Sequence, residues 1–459
     1  MKKLALILCI LLIVSCKEDQ KDYALVSGAF KNTKAKEVII SKGETEFKLA
    51  INDDGTFSDT LKIEKPGFYN FSADGPPKSV YIDFGDNLKV IADAKSPILE
   101  MTFEGEGAIE NNYLSSKVGV RSFADKGAKA LFSLDEVAFR NKIESDKNEN
   151  LKTLSSIEGI DSNFKTLEET NLKYETLTLY NDYQNGHRYF TNKREFEVSE
   201  DFLPQSLKDM VFDSGSDYEN SEAYKKLALN TSLDATFKDI ESFSNIKPAD
   251  LTPISEIKIQ ALKNDVISYV GTMIMSPANA NMKDIYQFFS DNSTDPETKK
   301  ILTNTYNKNK NLLKGMPSPK FVNYENNAGG ETSLDDLKGK YVYVDVWATW
   351  CGPCIGEIPS LKKVEKQYHG KNIEFVSASI DTPNAYDKWK SMIKEKELGG
   401  TQLLADNAWQ SKFVQDYAID GIPRFILIDP DGNIISADAP RPSNPELVSM
   451  LDSELDKTK

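Results

Sequence analysis

Two cysteines three positions apart, Cys351 and Cys354, carry the sharpest chemical signal in this sequence. The thiolate, not the thiol, attacks a disulfide. In a Cys-x-x-Cys pair the thiol pKa falls from ~8.5 to between ~3.5 and ~7.5. The run Val344-Asp345-Val346-Trp347-Ala348-Thr349-Trp350-Cys351-Gly352-Pro353-Cys354 reads as a buried strand leading into the pair, with a helix after it. Cys351 then falls at a helix N-terminus, where unpaired N–H groups and the macrodipole favour an anion. Cys354 lies one turn in, deeper but within reach. The expected roles are Cys351 as the exposed attacking thiol and Cys354 as the resolving thiol that breaks a mixed disulfide. Pro353 presets φ for the first turn and lacks an N–H that the turn would not use.

Competing readings of the pair are weak. A bridge between positions three apart closes a tiny loop and removes little unfolded-state entropy, so it is a poor staple. A zinc site needs about four ligands, and beyond the cysteines the chain offers only His187 and His369. No metal and no cofactor is expected. Asp345 is the second chemical candidate. It interrupts Tyr341-Val-Tyr-Val-Asp-Val-Trp347, an otherwise apolar strand. Burying a carboxylate is costly and raises its pKa, which suits a proton acceptor or donor for the buried thiol.

The elements that must position these residues alternate. Strands at 341–346, 373–380, 402–404, 425–429 and 434–437 are separated by helices at 354–368, 386–396 and 409–417, with a last helix at 445–455 and a hairpin turn at Asp431-Gly432. That order argues for an α/β domain. Gly315-Met-Pro-Ser-Pro319 breaks the preceding pattern and marks a boundary. Upstream, 111–314 reads as helical, with apolar spacing over 133–154, 162–185, 221–229 and 254–275. Ser133-Leu-Asp-Glu136 has capping-box spacing. Tyr174, Tyr180 and Tyr183 read as a core stripe, and His187 as a surface residue in a loop. Residues 23–110 read as a small antiparallel β sandwich or barrel, with hairpin signals at Asp54-Gly55 and Gly85-Asp86-Asn87.

The chain has 459 residues, 39% apolar and 28% charged, with a formal charge of −15. That acidity, with no basic run, excludes a nucleic-acid surface. The first sixteen residues stand apart: Lys2 and Lys3, an apolar run from Leu4 to Val14, then Ser15-Cys16. The run is too short to span a bilayer, which takes about 20 residues, and fits a secretory signal. Its ending resembles a bacterial lipoprotein signal, which implies cleavage before Cys16, acylation of Cys16 and a membrane held by that lipid. Residues 17–22 read as a charged tether. Lys17-Glu18-Asp19 resembles a surface-export signal of some lineages; otherwise the anchored protein is expected at the outer membrane, facing the periplasm. Cys9 leaves with the signal, so the mature chain keeps one thiol pair.

Residues 315–459, through the WCGPC segment and the later Gly421-Ile422-Pro423, resemble the thioredoxin superfamily. More narrowly they resemble its membrane-tethered periplasmic reductases of the cytochrome c maturation type. With the upstream readings this makes a three-part molecule: an all-β domain, which resembles the β-domain of unknown role that often precedes thioredoxin modules in bacterial envelope lipoproteins, a helical region, and a C-terminal α/β thioredoxin-like domain. The resemblance implies a redox-active Cys351–Cys354 disulfide. It also implies a cis Pro423 facing that disulfide, Ile422 hydrogen-bonding an incoming chain, and Trp350 shielding the pair and helping to dock clients. Asp345 matches the buried aspartate of thioredoxin. Glu357 matches the glutamate of the periplasmic reductases, and its i,i+3 spacing places it beside Cys354. The thioredoxin lysine near that aspartate maps to Ser377. Members with Gly-Pro between the cysteines are usually reductants, with potentials near about −270 mV against about −120 mV for a strong oxidant. Implied partners are disulfide-bearing envelope proteins and a membrane thiol-transfer electron donor. A peroxiredoxin-like peroxidase shares the scaffold, but its Pro-x-x-x-Thr-x-x-Cys context is absent. A scaffold lipoprotein remains an alternative, since the upstream regions outsize the catalytic domain.

Overall fold

A computed structural model describes residues 21–43, 45–73, 76–94, 100–240 and 245–457. Cys9, Cys16 and most of the tether lie outside the described residues. The described residues divide into two compact units, with the boundary between Ala228 and Leu229.

The first unit begins with eight strands: β1 (Ala24–Lys31), β2 (Glu37–Lys42), β3 (Thr45–Ala50), β4 (Thr56–Leu61), β5 (Gly67–Ser72), β6 (Lys78–Ile82), β7 (Asn87–Asp93) and β8 (Glu100–Glu106). They form two four-stranded sheets, ordered β4-β1-β7-β8 and β3-β2-β5-β6. Inward residues of both sheets make one apolar core, with Val26, Phe30, Phe57 and Val90 from one and Val38, Ile40, Phe71 and Val80 from the other. The sandwich is as expected, but neither turn signal makes a hairpin. Asp54-Gly55 joins β3 to β4, and Gly85-Asp86 precedes β7; each turn carries the chain from one sheet to the other. Gly55, at φ 83°, supplies the tight corner,. A turn motif reports a reversal, while pairing is decided by which face must be covered. The sandwich is also not wholly antiparallel: β1 and β7 pair in parallel.

Helices Ala108–Ser116, Glu136–Ser156 and Ser162–Thr191 follow. The Asn111 side chain accepts from the Tyr81 N–H at 2.8 Å and donates to the Tyr81 carbonyl at 2.7 Å, tying the first helix to β6. The capping box at Ser133 is not used. Asp135 is the N-cap, accepting from the Ala138 N–H. Tyr174, Tyr180 and Tyr183 are buried as expected. His187 is the reverse of expectation: helix Ser162–Thr191 runs through it, it is only 4% exposed, and its Nδ1 lies 2.9 Å from the Phe132 carbonyl oxygen. Gly186 misled the reading. A Cβ there would sit 2.4 Å from the Phe132 ring, so the glycine permits close packing and is not a turn,.

The second unit opens with helices Gln260–Ile274, Met282–Asn292 and Pro296–Asn309, then enters a seven-stranded sheet. Its strands are β9 (Tyr324–Asn326), β10 (Glu331–Thr332), β11 (Tyr341–Trp347), β12 (Ile373–Ser379), β13 (Thr401–Leu404), β14 (Arg424–Ile428) and β15 (Ile434–Ser436). The order is β10-β9-β13-β12-β11-β14-β15. The three inner strands β11, β12 and β13 run parallel; β9, β14 and β15 pair antiparallel to their neighbours. The short pair β9–β10 has no counterpart in the sequence reading. All seven residues of β11 are buried, because helices cover both of its faces,. Val342, Val344 and Val346 join one core. Tyr341 and Tyr343 join the other, with Leu361 and Val364 of helix Gly352–Gln367 and Leu447 and Leu451 of helix Glu446–Asp456. By strand alternation Asp345 points to this second side, under the helix that carries the cysteines.

Candidate active site

The fold places Cys351 and Cys354 past the C-terminal end of β11, the usual location of sites in open α/β sheets. Cys351 is the N-cap of helix Gly352–Gln367, and its Sγ accepts from the Cys354 N–H at 3.2 Å. The two are joined as a disulfide with Cα atoms 5.3 Å apart. Cys351 is not the more exposed sulfur expected: in the disulfide each cysteine is 4% exposed, while the neighbouring Trp350 is 53% exposed and lies with its ring centroid 6.3 Å from that of Trp409. The Ile422–Pro423 peptide is cis, and Ile422 packs against the core cluster that contains both cysteines.

The loop before the cysteines is held by a residue the sequence reading passed over. Buried Asp381 accepts from the Thr349 N–H at 2.9 Å, the Thr349 hydroxyl at 2.8 Å and the Ser379 hydroxyl at 2.7 Å. It stands just past a buried parallel strand, at the end of the sheet where sites form, and no local sequence motif marks it.

Asp345 is 8% exposed, and its Oδ1 has no hydrogen-bond partner among the described residues. Burial pushes its pKa up to about 8, and the charges of Glu357 and Glu365 add to the rise,. Its neighbours across the sheet, Ser377 on β12 and Phe425 on β14, bring no charge. Glu357 is on the expected helix, but its carboxylate is turned to the loop before the last helix. It accepts from the Ser443 N–H at 2.9 Å and the Ser443 hydroxyl at 2.8 Å. A third carboxylate, Glu365, was not singled out from the sequence. It shares a narrow crevice with Asp345, Trp347, Cys354, Ser377 and Gln402. Burial raises its pKa to about 7, opposed by Lys362. Among the described residues no three His, Cys, Asp or Glu side chains converge as metal ligands would.

The arrangement pairs a sulfur at a helix N-terminus with a second sulfur that shares a crevice with a buried carboxyl group of raised pKa. That is the equipment for two-step thiol–disulfide exchange. Residues 313–454 match the Redoxin family. They belong to the thioredoxin superfamily.

The thioredoxin-like domain is similar in sequence to thiol-disulfide oxidoreductases. The thiol-disulfide oxidoreductase ResA of Bacillus cereus is 29% identical over 121 residues, covering 26% of this chain and 66% of that protein. ResA of Bacillus subtilis is 26% identical over 124 residues, covering 27% and 66%. The chain thus spans about two thirds of the length of these curated relatives. Among solved structures, the thioredoxin domain of a Bacteroides vulgatus thiol-disulfide oxidoreductase is 30% identical, covering 31% of this chain and 97% of that one, with a TM-score of 0.28. The thioredoxin-like domain accounts for less than a third of the chain in each of these matches.

Proposed function

We propose that this protein reduces disulfides of cell-envelope proteins through Cys351 and Cys354. One observation carries the reading: Cys351 caps the helix and its sulfur takes the Cys354 N–H, a contact that stabilises a thiolate there,.

In the reduced enzyme the Cys351 thiolate attacks one sulfur of a client disulfide. The client S–S bond breaks, one client sulfur leaves as a thiolate, and a mixed disulfide forms. The Cys354 thiol then gives its proton to the Asp345 carboxylate, and the resulting thiolate attacks Cys351. The second client sulfur departs as a thiolate; both client thiolates take protons from water, leaving a client dithiol and the Cys351–Cys354 disulfide. Two electrons have passed to the client, and a membrane thiol-transfer protein returns them. Asp345 suits the proton step because it is buried near Cys354 and its pKa, raised to about 8, makes its carboxylate a stronger base than an ordinary aspartate and able to give the proton up again near neutral pH,. Trp350, Ile422 and Pro423 form the surface that receives the client, and Glu357 tunes the pair through its charge on Asp345. The domain is tethered by lipid on Cys16. No helix among the described residues is long and apolar enough to cross a membrane.

Insulin reduction tests the reading. Wild type is expected to precipitate the insulin B chain, and Cys351→Ser to be inactive. Cys354→Ser is expected to accumulate mixed disulfides with its clients, whose identification by mass spectrometry names the substrates. Equal activity of wild type and Cys351→Ser would leave a scaffold as the better reading.

A further inference from the structure

The reading of Asp345 as proton acceptor leaves a question of exit. A carboxyl group buried under a helix has to lose its proton before the next cycle. The crevice beneath Cys354 answers it. It holds about 10 Å³ of free space, about the volume one water requires,. Three buried polar atoms of its lining residues lack a partner among the described residues: Asp345 Oδ1, Trp347 Nε1 and Gln402 Oε1. Together they offer one donor and two acceptors, enough to hold a water, which needs two to four polar partners. Half-buried Glu365 stands on the same crevice, where helix Gly352–Gln367 meets the Gly399-Gly400 loop. The two glycines make room for its carboxylate: a Cβ on Gly399 would lie 2.5 Å from Oε2, and one on Gly400 would lie 3.1 Å from Oε1.

We infer that Glu365 is the outer station of a proton path serving Asp345. Its carboxylate takes the proton that Asp345 received from the Cys354 thiol, across the water-sized crevice, and releases it to solvent. The step returns Asp345 to the carboxylate and moves one proton outward without changing any oxidation state. The inference rests on the proposed role of Asp345.

Several charged groups bear on the path. Glu357, Glu365 and Lys362 come from the helix, and Glu397 comes from the loop after helix Tyr386–Glu395, where it pairs with Lys362 at 3.6 Å. Lys362 also donates to the Lys396 carbonyl, which holds it beside the crevice mouth. A pKa near 7 at Glu365 lets it accept and release a proton at neutral pH,.

The test follows single-turnover oxidation of the reduced full chain by insulin from about pH 5 to about pH 9. Alkylation of Cys351 by iodoacetamide reports the first thiol separately. Glu365→Gln is expected to slow turnover about tenfold above pH 7 and to remove one ionisation from the profile, with alkylation unchanged. Glu365→Asp should regain most of the rate. Imidazole in the buffer should restore Glu365→Gln, because a diffusible base replaces the missing carboxylate. Gly399→Ala, which displaces the carboxylate while keeping Glu365, should slow turnover in the same direction. Wild-type rates and profile for both Glu365→Gln and Gly399→Ala would overturn the relay. So would a slow Glu365→Gln that imidazole does not restore, which marks a structural role. Asp345→Asn separates the two levels: if it alone is slow, only the relay fails, and if it too matches wild type, the reading of Asp345 fails with it.

Discussion

Asp345 binds a proton more tightly than an ordinary aspartate because the protein offers it almost nothing in place of water,. One of its oxygens has no partner among the described residues, and the charges that act on it, Glu357 and Glu365, are of its own sign. This makes stability depend on pH in a definite direction. In the unfolded chain an aspartate ionises near ~3.9. In the folded protein it ionises at about 8. Between those values the unfolded state binds fewer protons, so stability falls as pH rises. The loss across that window is on the order of 5 kcal/mol. Glu365, at about 7, adds to the same slope over a narrower range. Asp345→Asn, which carries no charge at any pH, should therefore raise the melting temperature of the oxidised protein at pH 8 while changing it little at pH 4. A melting temperature that responds equally at both pH values would show that Asp345 is solvated or paired.

At the scale of elements, the active-site loop depends on the end of β12. Three hydrogen bonds converge on Asp381, two of them from Thr349, two residues before Cys351. Asp381→Ala leaves the buried Thr349 N–H and hydroxyl unpaired, at a cost of about 2–3 kcal/mol. The expected outcome is a lower melting temperature together with a faster, less selective reaction of Cys351 with small alkylating agents. Unchanged alkylation would mean that the loop keeps its shape without Asp381. The same scale explains what could be read in advance. The alternation of strands and helices from β11 onward was legible, because each element buries a face whose period the sequence displays. Cys351 and Cys354 were legible because their spacing is a chemical constraint. Asp381 and Glu365 were not, since an aspartate after a strand or a glutamate on a helix has no local signature. Their significance comes from neighbours 32 residues away in sequence for Thr349 and from a crevice assembled by separate strands and a helix. The turns at Gly55 and Gly85 were legible as turns, but the partner of each following strand is set by sheet order, which no short motif encodes.

The molecule as a whole divides its apolar interior. The sandwich core and the two cores flanking the thioredoxin-like sheet have no residue in common. Within the first unit the sandwich is locked to its helices through Tyr81, Phe68 and Phe164, with the Tyr81 and Phe164 rings 4.9 Å apart, so this unit should melt as one. Phe71 tests the division. It is buried at the sandwich centre, with its ring 6.0 Å from Phe30 and 6.3 Å from Phe57. Phe71→Ala should cost the first unit about 3–5 kcal/mol through lost burial and the cavity left behind. Cysteine chemistry draws on no residue of that core. Calorimetry of the full chain should show one transition moved to lower temperature and another in place, with insulin reduction near room temperature unchanged per molecule. A single transition that moves as a whole, with a matching loss of turnover, would mean that the catalytic domain borrows its stability from the sandwich. The upstream unit would then be a folding partner of the redox site.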